Sequence, residues 1–231
     1  MMTYKSDEAL QGEVMFQLGW DSRVKQTEVG VTVHGGIVTL TGTVDSYAKK
    51  LAAQQAAHRV SGVLDVVNDL EVQVPGDQIH DDNDIAAALR HALEWNVLVP
   101  ANKIQSTVSN GWVTLKGEVE YYRERVDAER AVSVLPGVRG VINNIRVIVP
   151  VEPERVQFLI EDVLERRADR EASRIRVKVD AGEVTLTGAV NSWDEKKAIL
   201  GAVSHAPGVT DVRDHLFIDP YNLRFEVARA F

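Results

Sequence analysis

Six basic side chains in the last third of the chain form its strongest candidate for a binding site. They are Arg166, Arg167, Arg170, Arg174, Arg176 and Lys178. Because each basic residue near an anionic lipid surface contributes about 1 kcal/mol of attraction, this cluster is a candidate for contact with anionic phospholipid or with a partner. Glu165, Asp169 and Glu171 lie among these residues. The alternative is therefore a solvated surface whose charges complement a helix dipole.

Three tryptophans are further candidates for contact with lipid or with a partner. Trp20 and Trp95 follow equivalent amphipathic helices, and Trp112 begins a strand. Indole rings at helix ends favour membrane interfaces, but they also cover the core of a small module. We expect Trp20 and Trp95 to cover the core. We expect Trp112 to face outward as the better exposed candidate, suited to contacts between modules.

Residues suited to catalysis or to metal binding are not arranged in a recognisable site. The chain has no cysteine, and its six histidines lack the spacing of metal ligands. The acidic segment at 80–84 lacks the glycine and the distal glutamate of a calcium loop, and it predicts a capped helix start. No phosphate-binding loop, nucleophile elbow or catalytic carboxylate pair is present. We expect no enzymatic activity, no cofactor and no metal.

The charge of the chain argues against nucleic acid as a partner. The formal net charge is −8, and acidic residues outnumber Lys and Arg in each third of the chain. Binding to nucleic acid requires a cationic footprint that neutralises phosphates. Gly137 and Gly140 match the Gly-x-x-Gly of KH domains, but they join a predicted helix to a strand in acidic surroundings. RNA binding is not expected from this match.

The pattern Gly-x-Val-Thr-Leu-x-Gly-x-Val occurs three times and organises the whole chain. Its copies occupy residues 36–44, 111–119 and 182–190. Repetition at this period predicts three modules of about 70 residues each, at 1–75, 76–150 and 151–220. A tail follows at 221–231, and we expect it to form an additional edge strand or a docking segment.

Each module has the same predicted order of elements, αββαβ. Apolar residues four apart, such as Leu10, Val14 and Leu18, indicate a first helix. Two alternating strands joined by a glycine turn follow. A third strand after the second helix should be parallel to the second strand, through a right-handed crossover. The fold class is α+β: three tandem modules, each a three-stranded mixed sheet covered on one face by two helices.

Six glycines of the repeated stretch are expected to be structural. They are Gly36, Gly42, Gly111, Gly117, Gly182 and Gly188. The first glycine of each copy belongs to the turn between two strands. The second interrupts an inward-facing row, and we interpret it as the place where the second helix lies close to the sheet.

The repeats resemble the BON domain, the module of bacterial osmotically inducible and nodulation-related proteins. The resemblance rests on the repeated stretch, on the aromatic residue near the start of the second helix, and on a Gly-Val pair before the third strand. The aromatic residues are Tyr47, Tyr122 and Trp193, and the pairs begin at Gly62, Gly137 and Gly208. It extends over nearly all residues from 7 to 219. It implies an αββαβ fold, no enzymatic activity, and a role in binding phospholipid membranes or in supporting the envelope under stress.

Two functions remain open from the sequence. The first is peripheral association with anionic phospholipid membranes during envelope or osmotic stress. The second is a cytoplasmic scaffold whose modules bind each other, a second copy or a partner protein, because small modules have small cores that benefit from neighbours. The first residues do not follow the pattern of a secretory signal. We expect a cytoplasmic, membrane-peripheral location, or a periplasmic one if a signal peptide has been removed.

Overall fold

The computed structural model describes residues 5–75, 81–148, 153–167 and 175–219. These residues form three tandem modules of helices and mixed sheets. The predicted fold class is confirmed. The tail at 221–231, for which an edge strand or docking segment was expected, lies outside the described residues.

The helices and strands follow one another in the same order in every module. Module 1 contains α1 (Asp7–Trp20), β1 (Val29–His34), β2 (Ile37–Val44), α2 (Tyr47–His58), β3 (Asp65–Asn68) and β4 (Glu71–Val72). Module 2 contains α3 (Asp82–Trp95), β5 (Ile104–Ser109), β6 (Trp112–Val119), α4 (Tyr122–Ser133) and β7 (Gly140–Val147). Module 3 contains α5 (Pro153–Arg167), β8 (Ile175–Asp180), β9 (Glu183–Val190), α6 (Trp193–Ser204) and β10 (Asp211–Ile218).

The repeated stretch is the central strand of each sheet. The strand before it pairs antiparallel and the strand after it pairs parallel, as the crossover rule predicts. Module 1 differs in one respect, because its third strand is divided into β3 and β4. The backbone N–H of Asp69 donates to the carbonyl of Leu40 at 2.9 Å between these two parts. The path along β2 is therefore maintained across the break.

An aspartate in the first turn of α1 ties this helix to the β1–β2 hairpin. The Asp7 carboxylate accepts backbone N–H groups of Gly35 and Gly36 at 2.8 and 3.0 Å. These bonds lower the pKa of Asp7, because they favour the charged form. Asp82 makes the same pair of bonds to the next hairpin. The equivalent residue of module 3 is Pro153, which has no carboxylate.

The hairpin glycine of each module meets the glycine that precedes the third strand. In module 2, a Cβ at Gly111 would lie 2.7 Å from the carbonyl oxygen of Gly137. The backbone N–H of Arg139 also donates to the Gly111 carbonyl at 2.9 Å. The two repeated glycines thus permit one close backbone crossing, which explains their constant separation.

The interpretation that the glycine inside the central strand makes room for the second helix is wrong. A Cβ at Gly117 would overlap the carbonyl oxygen of Lys103, and one at Gly42 would overlap the carbonyl oxygen of Glu28. Both obstacles belong to the segment that leads into the first strand. Gly117 has a φ of +146°, a conformation that side chains rarely allow. The close approach is therefore to the segment that precedes the first strand, and not to the second helix.

Each module has its own apolar core between its two helices and its sheet. The cores include Leu18 and Leu40 in module 1, Leu89 and Leu115 in module 2, and Leu186 in module 3. Small residues such as Ala53 and Ala56 on α2 are fully buried in this layer. Each crossing helix therefore packs close to its sheet.

Candidate functional site

The outer face of the module 3 sheet carries four exposed basic side chains, which we call the basic face. They are Arg176, Lys178, Arg213 and His215. In each of two rows a threonine of the central strand separates two basic residues of the outer strands, as Lys178–Thr185–Arg213 and Arg176–Thr187–His215. Neighbouring strands are about 4.8 Å apart. The rows therefore present cationic groups and hydroxyl donors together to one side of the sheet.

The basic face is available for an anionic partner. Among the described residues, Arg176 and Lys178 have no ion-pair partner within 4.0 Å, and Arg213 pairs with Glu183 at 2.7 Å. The positions equivalent to Arg176 and Lys178 are Gly30 and Thr32 in module 1, and Gln105 and Thr107 in module 2. These are uncharged, so the face is specific to module 3.

Only part of the predicted basic cluster is seen in this surface. Arg166 and Arg167 lie in the last turn of α5, and Arg170 and Arg174 lie outside the described residues. The structure adds Arg213 and His215, which the sequence analysis missed. A period-two pattern in β10 was the available signal, but only the register of β8 and β10 on the central strand β9 places Arg213 and His215 in the same rows as Lys178 and Arg176.

The expectation that Trp20 and Trp95 cover the core is wrong. These side chains are 73% and 77% exposed, more than Trp112 at 51%. Leu18 and Leu93 fill the core at the helix ends instead. Two residues along an α-helix are about 200° of rotation apart, so each tryptophan is directed away from the core that its neighbouring leucine enters.

Trp112 packs partly within its own module. A Cβ at Gly140 would overlap the indole ring of Trp112. Trp112 pairs with Gly140 across β6 and β7, so the ring lies over this glycine. Trp112 is still 51% exposed, and a contact of Trp112 with another module stays a prediction.

Further apolar side chains lie close to the exposed tryptophans. Phe16 is 65% exposed, and its ring centroid is 5.9 Å from that of Trp20. Val97 and Leu98 follow Trp95 and are also exposed. We call these two groups the apolar ends of α1 and α3. Exposed apolar clusters of this kind mark contact surfaces.

The aromatic residues that begin the three crossing helices contact neighbouring modules. Tyr47 of module 1 packs against the core of module 2, and Tyr122 of module 2 packs against the core of module 3. Trp193 of module 3 stacks on His58 of module 1. The contacts run from module 1 to 2, from 2 to 3, and back from 3 to 1. We call this closed set of contacts the module junction.

The electrostatics of the module junction agree with this packing. Burial raises the pKa of the Tyr47 hydroxyl, and Glu129 of module 2 raises it further. Burial also raises the pKa of Tyr122. Arg125 of module 2 forms an ion pair with Asp211 of module 3 at 3.0 Å. The junction therefore combines buried rings with a charge pair between modules.

The contact between Trp193 and His58 closes the module junction. The ring centroids are 3.6 Å apart and the ring planes differ by 10°. Lys196 Nζ lies 4.9 Å from the Trp193 ring centroid. Burial lowers the pKa of His58 to about 4, against a smaller opposing effect of Asp65, and Lys196 lowers it as well. His58 is thus neutral at neutral pH, and its ring stacks on the partly buried Trp193 indole.

Within the described residues, no group of three or more His, Cys, Asp or Glu side chains is placed to hold a metal ion. No helix in the described part of the chain is both long enough and apolar enough to cross a bilayer. The surfaces that remain for function are the basic face, the apolar ends and the module junction.

Known proteins were compared with the chain. Osmotically-inducible protein Y of Escherichia coli (strain K12) is 26% identical over 149 residues, which are 62% of this chain and 73% of that protein. Solved structures that match include CdsD, described as a structural protein of the type III secretion system of Chlamydia trachomatis. It is 14% identical with a TM-score of 0.28, and the match covers 95% of this chain and 97% of that one. The C-terminal domain of CdsD gives a TM-score of 0.27 at 14% identity, over 94% and 100% of the two chains.

The BON domain model matches three segments of the chain, at residues 6–74, 81–148 and 154–220. These segments contain all three copies of the central strand, its two repeated glycines and the aromatic residues of the module junction. Together they account for most of the chain. The protein belongs to the family of BON domain proteins, with three such domains in tandem.

Proposed function

We propose that the protein is a non-catalytic binding protein that associates peripherally with anionic phospholipid surfaces in the osmotic or envelope stress response. The basic face is the observation that carries this proposal. Membership of the BON family and the similarity to an osmotically inducible protein support the link to stress. The basic face is present in module 3 only. Binding through it therefore gives the protein a defined orientation relative to the lipid surface.

In this proposal, electrostatics favour an orientation with the basic face toward the membrane. The chain has a formal charge of −8, so most of its surface is repelled by an anionic membrane. On the basic face, attraction of about 1 kcal/mol per basic residue acts in the opposite direction. Guanidinium and ammonium groups bind phosphate oxygens through charge-assisted hydrogen bonds. Module 3 therefore faces the lipid.

Reversing two charges of the basic face tests the proposal. We expect the double variant Arg176→Glu, Lys178→Glu to lose vesicle binding by at least about tenfold, because each substitution replaces attraction by repulsion. Co-sedimentation with vesicles of phosphatidylglycerol and phosphatidylcholine, at low and high salt, measures the loss. Lys116→Glu with Arg146→Glu is the matched control on the module 2 sheet, where both side chains are exposed. Equal binding by the two double variants, or no binding by the unchanged protein at low salt, would contradict the proposal.

The apolar ends of α1 and α3 favour a second function, in which the protein is a scaffold that associates with a second copy of itself. Desolvation of Trp20, Trp95 and their apolar neighbours would drive such association. We expect the double variant Trp20→Ser, Trp95→Ser to remain monomeric at concentrations at which the unchanged protein associates. Light scattering over a wide concentration range measures this. A monomer at every concentration excludes self-association, and loss of vesicle binding by the same variant would assign these rings to lipid.

A further inference from the structure

A cleft of about 690 Å³ lies where the three crossing helices meet. All three modules contribute to its wall: the end of α2 from module 1, one face of α4 from module 2, and α6 with β10 from module 3. Its volume is within the range of small-molecule sites, about 300–1,000 Å³. The cleft is separate from the basic face, which is formed by module 3 alone.

Apolar and aromatic side chains form one part of the cleft wall. The rings of Tyr122 and Trp193 line it together with Leu98, Val126 and Leu200. These residues come from two modules and enclose the space only because the module junction closes. An apolar or aromatic ligand body would bury its surface against them.

The charged part of the wall has a surplus of cations, although the chain as a whole is acidic. Arg59, Arg123, Arg130, Lys196 and Lys197 line the cleft, against Asp127, Asp194 and Asp214. Two of these carboxylates are paired within the wall, Asp214 with Lys196 at 2.9 Å and Asp127 with Arg130 at 3.9 Å.

Two of these cations are free to receive an anionic group. Arg123 and Lys197 have no ion-pair partner within 4.0 Å among the described residues, whereas Arg59 pairs with Asp21. Asp194, the remaining carboxylate, lies in the first turn of α6, where the helix dipole stabilises it. The free charge of the wall is therefore cationic.

Two polar atoms of the wall also lack partners. Trp193 Nε1 and His58 Nε2 are buried and make no hydrogen bond to any described residue. Buried polar groups in folded proteins nearly always have a partner. An acceptor group of a ligand, held at this wall by a small adjustment of the rings, would provide one for the indole N–H.

From these observations we infer that the cleft of the module junction binds a small amphipathic anion, with a carboxylate or sulfonate group on an aliphatic or aromatic body. The anionic group is bound by Arg123 and Lys197, and the body lies against Leu98, Leu200 and the Trp193 ring. A ligand that contacts all three modules also stabilises the closed junction, because it binds only when the junction is formed.

A glycine in the cleft wall provides a selective way to fill the site. Gly201 lines the cleft on α6, and a Cβ built on it meets no atom within 4 Å. The side chain of Gly201→Leu therefore starts in open space at the cleft wall, and leucine favours the helical backbone. Gly12→Leu is the matched control, because Gly12 is also a helical glycine with no atom within 4 Å of its Cβ. It lies on α1, outside the cleft.

Titration of the full chain with 8-anilinonaphthalene-1-sulfonate, and displacement of this dye by laurate, test the inference. We expect Gly201→Leu, and separately Arg123→Glu with Lys197→Glu, to raise the dissociation constants for both probes at least about tenfold. Gly12→Leu and Lys116→Glu should bind as the unchanged protein does. Dodecyltrimethylammonium, which is cationic, should not displace the dye. The variant Arg176→Glu, Lys178→Glu should keep laurate binding, which separates this site from the membrane contact. No saturable binding by the unchanged protein, or equal binding by Gly201→Leu and Gly12→Leu, overturns the inference.

Discussion

Substitution of alanine for Gly117 is expected to destabilise module 2 by about 3 kcal/mol. Two effects add at this position. The φ of +146° excludes most side chains, and a Cβ would overlap the Lys103 carbonyl oxygen. That oxygen is backbone, so it cannot move aside without breaking the pairing of β5 and β6. Because a domain of this size has only a few kcal/mol of stability, most of it would be lost.

Hydrogen exchange measures this loss in the module where it occurs. In Gly117→Ala, the amides of β5, β6 and β7 should exchange faster by about two powers of ten, while those of module 3 change much less. Gly12→Ala is the matched control, because it changes a helical glycine with open space around it. We expect it to leave stability unchanged or to raise it by up to about 1 kcal/mol. Equal protection of module 2 in the two variants would show that the close approach to Lys103 is not required.

The repeated pattern predicts the fold of each module well, because the signals for that fold are local. Alternation in β1 and β2, the apolar face of α1 and the turn glycines each depend on residues close in sequence. The role assigned to Gly42 and Gly117 was wrong for the opposite reason. A glycine in a strand indicates a close approach, but the sequence does not tell which backbone approaches, and here it is the preceding segment and not the crossing helix.

The candidate sites could be predicted only in part, because they depend on arrangements between distant residues. Arg176 and Lys178 were identified from alternation in one strand, whereas Arg213 and His215 join them only through the sheet register. For Trp20, helical periodicity distinguishes it from Leu18, and a stricter use of that period would have placed its ring in solvent. The prediction that Trp20 covers the core relied too strongly on the general tendency of aromatic residues to be buried.

The module junction could not be predicted at all from local patterns. Tyr47, Tyr122 and Trp193 occur at equivalent positions, and their repetition indicates only the resemblance to the BON domain. Each ring contacts a neighbouring module, and Trp193 also packs against the core of its own module. Periodicity shows which face of a helix is apolar, but the relative placement of modules joined by short linkers leaves no comparable signal. The same limit applies to the cleft, whose wall comes from all three modules.

The second large effect is expected from pH, through the contact that closes the module junction. In the closed form burial lowers the pKa of His58 from 6.5 to about 4, so the ring is neutral. When modules 1 and 3 separate, the pKa returns toward 6.5, and the open form binds one more proton between these two values. The contact is therefore at full strength above about pH 6.5. The contact weakens as the pH falls toward 4. Below pH 4, protonation of His58 does not lower its free energy of stabilisation any further.

Energy transfer between labels on modules 1 and 3 measures this opening directly. The chain has no cysteine, so Thr32→Cys with Asp180→Cys, both exposed positions, introduces the only two labelling sites. We expect the transfer efficiency to change between about pH 6.5 and 4. In the same background, His58→Phe should remove most of the change, since phenylalanine can stack on Trp193 but cannot be protonated. His91→Phe, at an exposed histidine of module 2, should retain it. His58 faces Lys196 and Asp65 as well as Trp193. An undiminished pH response in His58→Phe would show that other groups cause the opening, and it would exclude His58 as the pH sensor of the junction.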